Sequence, residues 1–147
     1  MKALWIGVAA LGVAALGACK GSDSTGPGTS GVNGIWKFQE LLSAPSFGLT
    51  CADSATINLT QNGQAFSGTY SQTGICSANG QTAPNDGTGA ISNGRVSGDS
   101  VFFNEESCRY SGTTTGRPAT RMTGAVICPD TSTGTLVNIG GSWIMTR

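Results

Sequence analysis

The chain has 147 residues, 23 of them glycine, with eight acidic and eight basic groups and no histidine. That length bounds one domain rather than two, and the balanced charge offers no field to gather nucleic acid. Without histidine there is no Ser-His or Cys-His pair, and no Gly-x-Ser-x-Gly elbow occurs, so the expectation is a non-catalytic protein that uses no cofactor.

Lys2 precedes an uncharged run from Ala3 to Ala18 that ends in Leu16-Gly17-Ala18-Cys19. The run is shorter than the roughly 20 residues a membrane span needs. One positive charge, a short apolar stretch and small residues before a cut site describe a secretory signal peptide over residues 1–18. The closing tetrapeptide resembles the lipobox of bacterial lipoproteins. The resemblance implies cleavage before Cys19, with acyl chains on the new terminal cysteine as the attachment to a lipid bilayer. Each buried acyl CH₂ contributes about 0.8 kcal/mol, and stable anchoring takes about two chains. That family marks inner-membrane retention with Asp after the cysteine. Lys20 stands there instead, which implies the outer membrane of a bacterial cell envelope, facing the periplasm or the surface.

Residues 20–32, KGSDSTGPGTSGV, carry too little apolar surface to order themselves. With the lipidated Cys19 they read as a flexible tether over 19–32, leaving one domain at 33–147. That domain holds Cys51, Cys76, Cys108 and Cys128. An even count in an exported domain reads as two disulfides. A metal site is disfavoured because no pair has C-x₂₋₄-C spacing and histidine is absent.

From Asn33 onward no stretch keeps a 3.6-residue apolar period; short alternating runs are separated by turn dipeptides. The predicted strands are 34–42, 54–61, 64–73, 87–92, 100–104, 107–114, 120–128 and 139–147, with 93–99 extending a neighbour or forming a turn. Around Asn62-Gly63, a type I′ turn signal, the alternation places Leu59 opposite Phe66, Ile57 opposite Gly68 and Ala55 opposite Tyr70. All the apolar residues then share one face. Cys51 and Cys76 share the same parity, diagonal to one another by two residues. A later hairpin sets Cys108 against Cys128, Tyr110 against Val126, Gly112 against Gly124 and Thr114 against Met122. Disulfides Cys51–Cys76 and Cys108–Cys128 follow, with nested Cys51–Cys128 and Cys76–Cys108 as the competing connectivity.

A large-hydroxyl-glycine motif recurs at Phe66-Ser67-Gly68, Val96-Ser97-Gly98, Tyr110-Ser111-Gly112 and Met122-Thr123-Gly124. Glycine within strands marks bends or close approaches, which a strongly coiled sheet uses to close on itself. Eight sequential antiparallel strands predict an up-and-down β-barrel, with a β-sandwich as the alternative.

Gly34-x-Trp36 on the first strand and Arg147 after the last resemble the lipocalin and avidin-like barrels grouped as calycins. The resemblance implies that Trp36 plugs the closed end with Arg147 packed over it. Biotin binding does not carry over, because only Trp36 and Trp143 fall in this domain.

With strands alternating up and down, the connections at 43–53, 74–86, 105–106 and 129–138 share one end, bordered by all four domain cysteines. That mouth points away from the tether. Two functions remain. Phe47, Tyr70, Tyr110 and Val126 are candidates to hold a small apolar or amphipathic ligand at the mouth, unless those side chains merely fill the barrel. The alternative is a protein-interaction or hydrolase-inhibitor domain that meets an envelope protein through loops 43–53, 77–86 and 129–138. Glu105-Glu106 reads as a solvated acidic turn, and Asn85-Asp86-Gly87 as a plain turn.

Overall fold

A computed structural model describes residues 30–131 and 136–147. The signal-peptide, Cys19 and residue 20–29 assignments lie outside the described residues. Among the described residues nine strands form one antiparallel sheet: β1 Gly34–Ala44, β2 Leu49–Asn62, β3 Ala65–Ala78, β4 Gln81–Pro84, β5 Gly87–Ser97, β6 Ser100–Glu105, β7 Cys108–Thr115, β8 Arg121–Asp130 and β9 Val137–Thr146. β1 pairs with both β2 and β9, and β2 also pairs with β3. Eight strands therefore close into an up-and-down barrel, as expected. The short β4 lies outside the ring, paired to the upper part of β3.

The alternation that defines the barrel is plain in β1. Trp36, Phe38, Glu40, Leu42 and Ala44 are buried, while Ile35, Lys37, Gln39 and Leu41 face solvent. β2 repeats it with Cys51, Asp53, Ala55, Ile57 and Leu59 inside.

The β2–β3 register differs from the sequence expectation by two residues: Leu59 faces Gly68, Ile57 faces Tyr70 and Cys51 faces Cys76 directly. The turn is centred on Gly63-Gln64 rather than Asn62-Gly63. Positive φ occurs only at its first central residue, Gly63 (φ 61°), the requirement of a type II′ turn. A two-residue slip leaves every side chain on its own face, so the expected core face survives. The Asn-Gly signature appears instead at Asn79-Gly80, where both φ values are positive (51° and 80°) and a type I′ turn links β3 to β4.

Of the long mouth loops expected at 43–53, 77–86 and 129–138, the first two are mostly strand, and in the third strands cover 129–130 and 137–138. β1 and β2 are joined by a 3-10 turn, Pro45–Phe47, and Gly48; β3 and β4 meet at a two-residue turn; β8 reaches Asp130. In β5 the register against β3 shifts between Ile91 and Gly94, a one-residue bulge holding Asn93 at φ 52°. The bulge carries burial from Ile91 to Gly94 and Val96 and adds local twist.

The interior is filled. Trp36, Phe38, Phe66, Phe103, Tyr110, Met122, Trp143 and Met145 belong to one buried cluster. Phe103 stacks on Tyr110 at 4.5 Å, and Trp143 meets Phe103 edge-on at 5.3 Å.

At the closed end Trp36 is fully buried and its Nε1 donates to the Val32 carbonyl at 2.8 Å. The Arg147 guanidinium lies 4.5 Å over the Trp36 ring. It donates to the carbonyls of Asn33 (2.7 Å) and Gly31 (3.2 Å). Ser30 and Val32, assigned from sequence to the flexible tether, are fully buried here. Ser30 meets Thr114 Oγ1 at 2.8 Å, and Ala119 N–H donates to the Gly31 carbonyl. Residues 30–32 therefore pack as part of the domain. Distant partners supply the burial that residues 30–32 lack in themselves.

Candidate functional site at the barrel mouth

The opposite end carries both disulfides, Cys51–Cys76 and Cys108–Cys128. Between them the inward side chains change from apolar to acidic. Glu40 of β1 is the direct cross-strand partner of Asp53 of β2. They are 8% and 3% exposed. Glu105, at the end of β6, enters the same space and accepts from the Tyr110 hydroxyl at 3.2 Å. The Tyr70 hydroxyl of β3 is also near enough to Glu105 to favour its charged form.

Asp53 keeps its inward position because its β3 partner is Gly74. A Cβ there would overlap the Asp53 carboxylate. Asn85 Nδ2 donates to Asp53 Oδ1 at 3.0 Å. Asn85 is held by its own N–H to the Gly74 carbonyl and by Gln72 Nε2 to the Asn85 carbonyl; Asp86 Oδ1 accepts from Gly74 N–H. The Asn85-Asp86 link, read from sequence as a plain turn, is thus a brace between β3, β4 and the acidic pair.

Two carboxylate oxygens, Glu40 Oε2 and Asp53 Oδ2, are buried and have no hydrogen-bond partner among the described residues. Burial pushes Glu40 up to about 7, partly offset by the Tyr110 hydroxyl and reinforced by the Glu105 and Asp53 charges. Burial likewise raises Asp53 against the opposing Asn85 bond. It raises Glu105 against the two tyrosine hydroxyls. Tyr70 and Tyr110 are raised far above ordinary phenol values by burial and the surrounding carboxylates, so both remain neutral donors. The described cations Lys37, Arg95, Arg109, Arg117, Arg121 and Arg147 are all exposed.

Of the residues expected to form the site, Tyr70 and Tyr110 join the acids, and Val126 is buried in the core beside them. Phe47 stands apart in the rim turn, 45% exposed. Glu105 is not a solvated turn residue: it is half-buried and hydrogen-bonded, while its neighbour Glu106 takes φ 49° and is exposed. Glu40 and Asp53 were missed although the signal existed. Each is a carboxylate at an inward position of an otherwise apolar alternation.

Among the described residues no group of three or more His, Cys, Asp and Glu is placed to hold a metal ion. Surface depressions of about 520, 330 and 270 Å³ lie on the outer wall, bordered by outward residues such as Lys37 and Ser71, Arg121 and Ile144, or Phe102 and Ile127. A row of exposed apolar residues also crosses the mouth end of that wall: Leu41 pairs with Ala52, Ala52 with Ile75 and Ile75 with Pro84. Compared with known protein families, curated proteins and solved structures, the chain finds no match.

Proposed function

We propose that the chain is a non-catalytic binding module, lipocalin-like in plan, that takes a small amphipathic molecule at its mouth. The cell envelope is its place of work, with the acylated Cys19 as anchor and the bilayer as its partner. Two disulfides fit an exported chain. The chain reaches the barrel at its closed end through residues 30–33, so the mouth points away from the anchor. The observation that carries the ligand reading is the meeting of an aromatic floor, Phe103 and Tyr110, with convergent polar groups of Glu40, Asp53, Glu105 and Tyr70. An apolar base with a few placed polar groups is the usual make-up of a small-molecule site. Because side chains fill the barrel below, the ligand sits shallow, against the mouth rather than deep in the barrel.

The test is native mass spectrometry of the protein extracted from its own envelope. A retained small molecule, lost on Tyr70→Ala, supports the reading; a bare protein that travels with a second protein contradicts it. That second outcome would favour the interaction-domain alternative. The exposed Leu41–Ala52–Ile75–Pro84 row would be its contact face, beside β4, whose far edge has no strand partner among the described residues.

A further inference from the structure

We propose that Glu40, Asp53 and Glu105 form a receptor for a small organic ammonium group entering the barrel at its mouth. The inference rests on the mouth-binding reading and names the charge of the ligand's head.

Three carboxylates of like sign, from β1, β2 and β6, lie within electrostatic reach of one another at the mouth. What faces them is Tyr70 from β3, Tyr110 from β7, Trp143 from β9 and the Asn85 amide. None of these is a cation. A buried carboxylate without a partner is costly, and its two remedies are a proton or a counter-charge. Burial raises Glu40 to about 7, so below that pH a proton is its remedy and above it a counter-charge is called for.

A primary ammonium suits the unpartnered acceptors. Its N–H donors can serve the cross-strand neighbours Glu40 Oε2 and Asp53 Oδ2, with the Glu105 charge nearby. A divalent metal suits it less. Calcium takes six to eight oxygens and magnesium near-ideal octahedral geometry, and the described acids are not so placed. An anion would meet three like charges. The stacked Phe103–Tyr110 pair blocks the path downward, so the ligand's carbon body projects toward the rim, where Phe47 is exposed.

The test is a chemical-shift titration of the intact chain at pH 8 with hexylamine, hexanol, hexanoate and calcium chloride in parallel. The expected result is hexylammonium binding at least tenfold tighter than the other three, with shifts centred on Tyr70, Tyr110 and Asn85. Glu40→Gln and Asp53→Asn should each weaken it at least tenfold while leaving hexanol unchanged. Both variants remove a buried charge that no described cation offsets, so both should fold. Equal binding of hexanol or hexanoate at those residues, unaffected by the two variants, overturns the ammonium assignment but leaves the mouth reading intact. Tighter binding of calcium overturns it in favour of a metal. No shift with any probe overturns both.

Discussion

Glu40 and Asp53 face each other across β1 and β2, both pointing into the barrel, and each keeps one buried oxygen without a partner among the described residues. Like charges directly opposite in a sheet are destabilising, and here no described cation offsets them. The pair therefore weakens the fold.

The first consequence is an inverted pH dependence. Glu40 has a folded value near 7 against an ordinary 4.5, so between those limits the folded chain holds more protons than the unfolded one. Its contribution is fully present below about 4.5 and is lost as pH rises through about 7. The raised Asp53 and Glu105 act in the same direction. Urea unfolding from pH 4.5 to 8 should therefore show falling stability. Glu40→Gln should flatten the curve and raise stability at pH 8 by at most about 3 kcal/mol.

Gly74→Ala should destabilise the mouth by about 1–3 kcal/mol, because its Cβ overlaps the Asp53 carboxylate in a filled site. The Asn85 side-chain amide resonance should move in the same variant, since the Asp53–Asn85 bond is the contact displaced. An unshifted resonance would argue against that brace.

Arg147→Ala removes the guanidinium from above Trp36 and frees the Gly31 and Asn33 carbonyls. The expected cost is about 1–2 kcal/mol by denaturant unfolding. Amide exchange should quicken at residues 30–33 and not at the disulfides. Arg147→Lys should not restore it, since one ammonium cannot lie flat on the ring and bridge both carbonyls as the planar fork does.

Each disulfide closes a short span, 25 and 20 residues apart in sequence, and its removal by paired Cys→Ala changes should cost about 3 kcal/mol. Hydrogen exchange should then rise first at the mouth, at Cys51–Asp53 or Cys108–Tyr110, while the Trp36 end stays protected.

The β7–β8 register was legible because Cys108 and Cys128, Gly112 and Gly124, and Tyr110 and Val126 all agree on one pairing. The β2–β3 register was less so. Either Asn62-Gly63 or Gly63-Gln64 makes an acceptable tip, and period-two alternation cannot tell slips of two residues apart. The strand after Gly87 was cut short because the Asn93 bulge breaks the alternation that reveals strands. Ser30–Val32 could not be seen as structured, since Thr114, Ala119 and Arg147 hold them from far away in sequence. The acidic site was half visible. Strand parity turns Glu40 and Asp53 inward, but their convergence with Glu105 depends on how the ring closes.

The most direct test is a carboxyl ¹³C titration of Glu40 in the ligand-free protein. A dry, unpartnered carboxyl at the mouth predicts a midpoint near 7, moving down when hexylammonium is added. A midpoint near 4.5, unchanged by the amine, would mean that the mouth is open to water and that its acids hold no site.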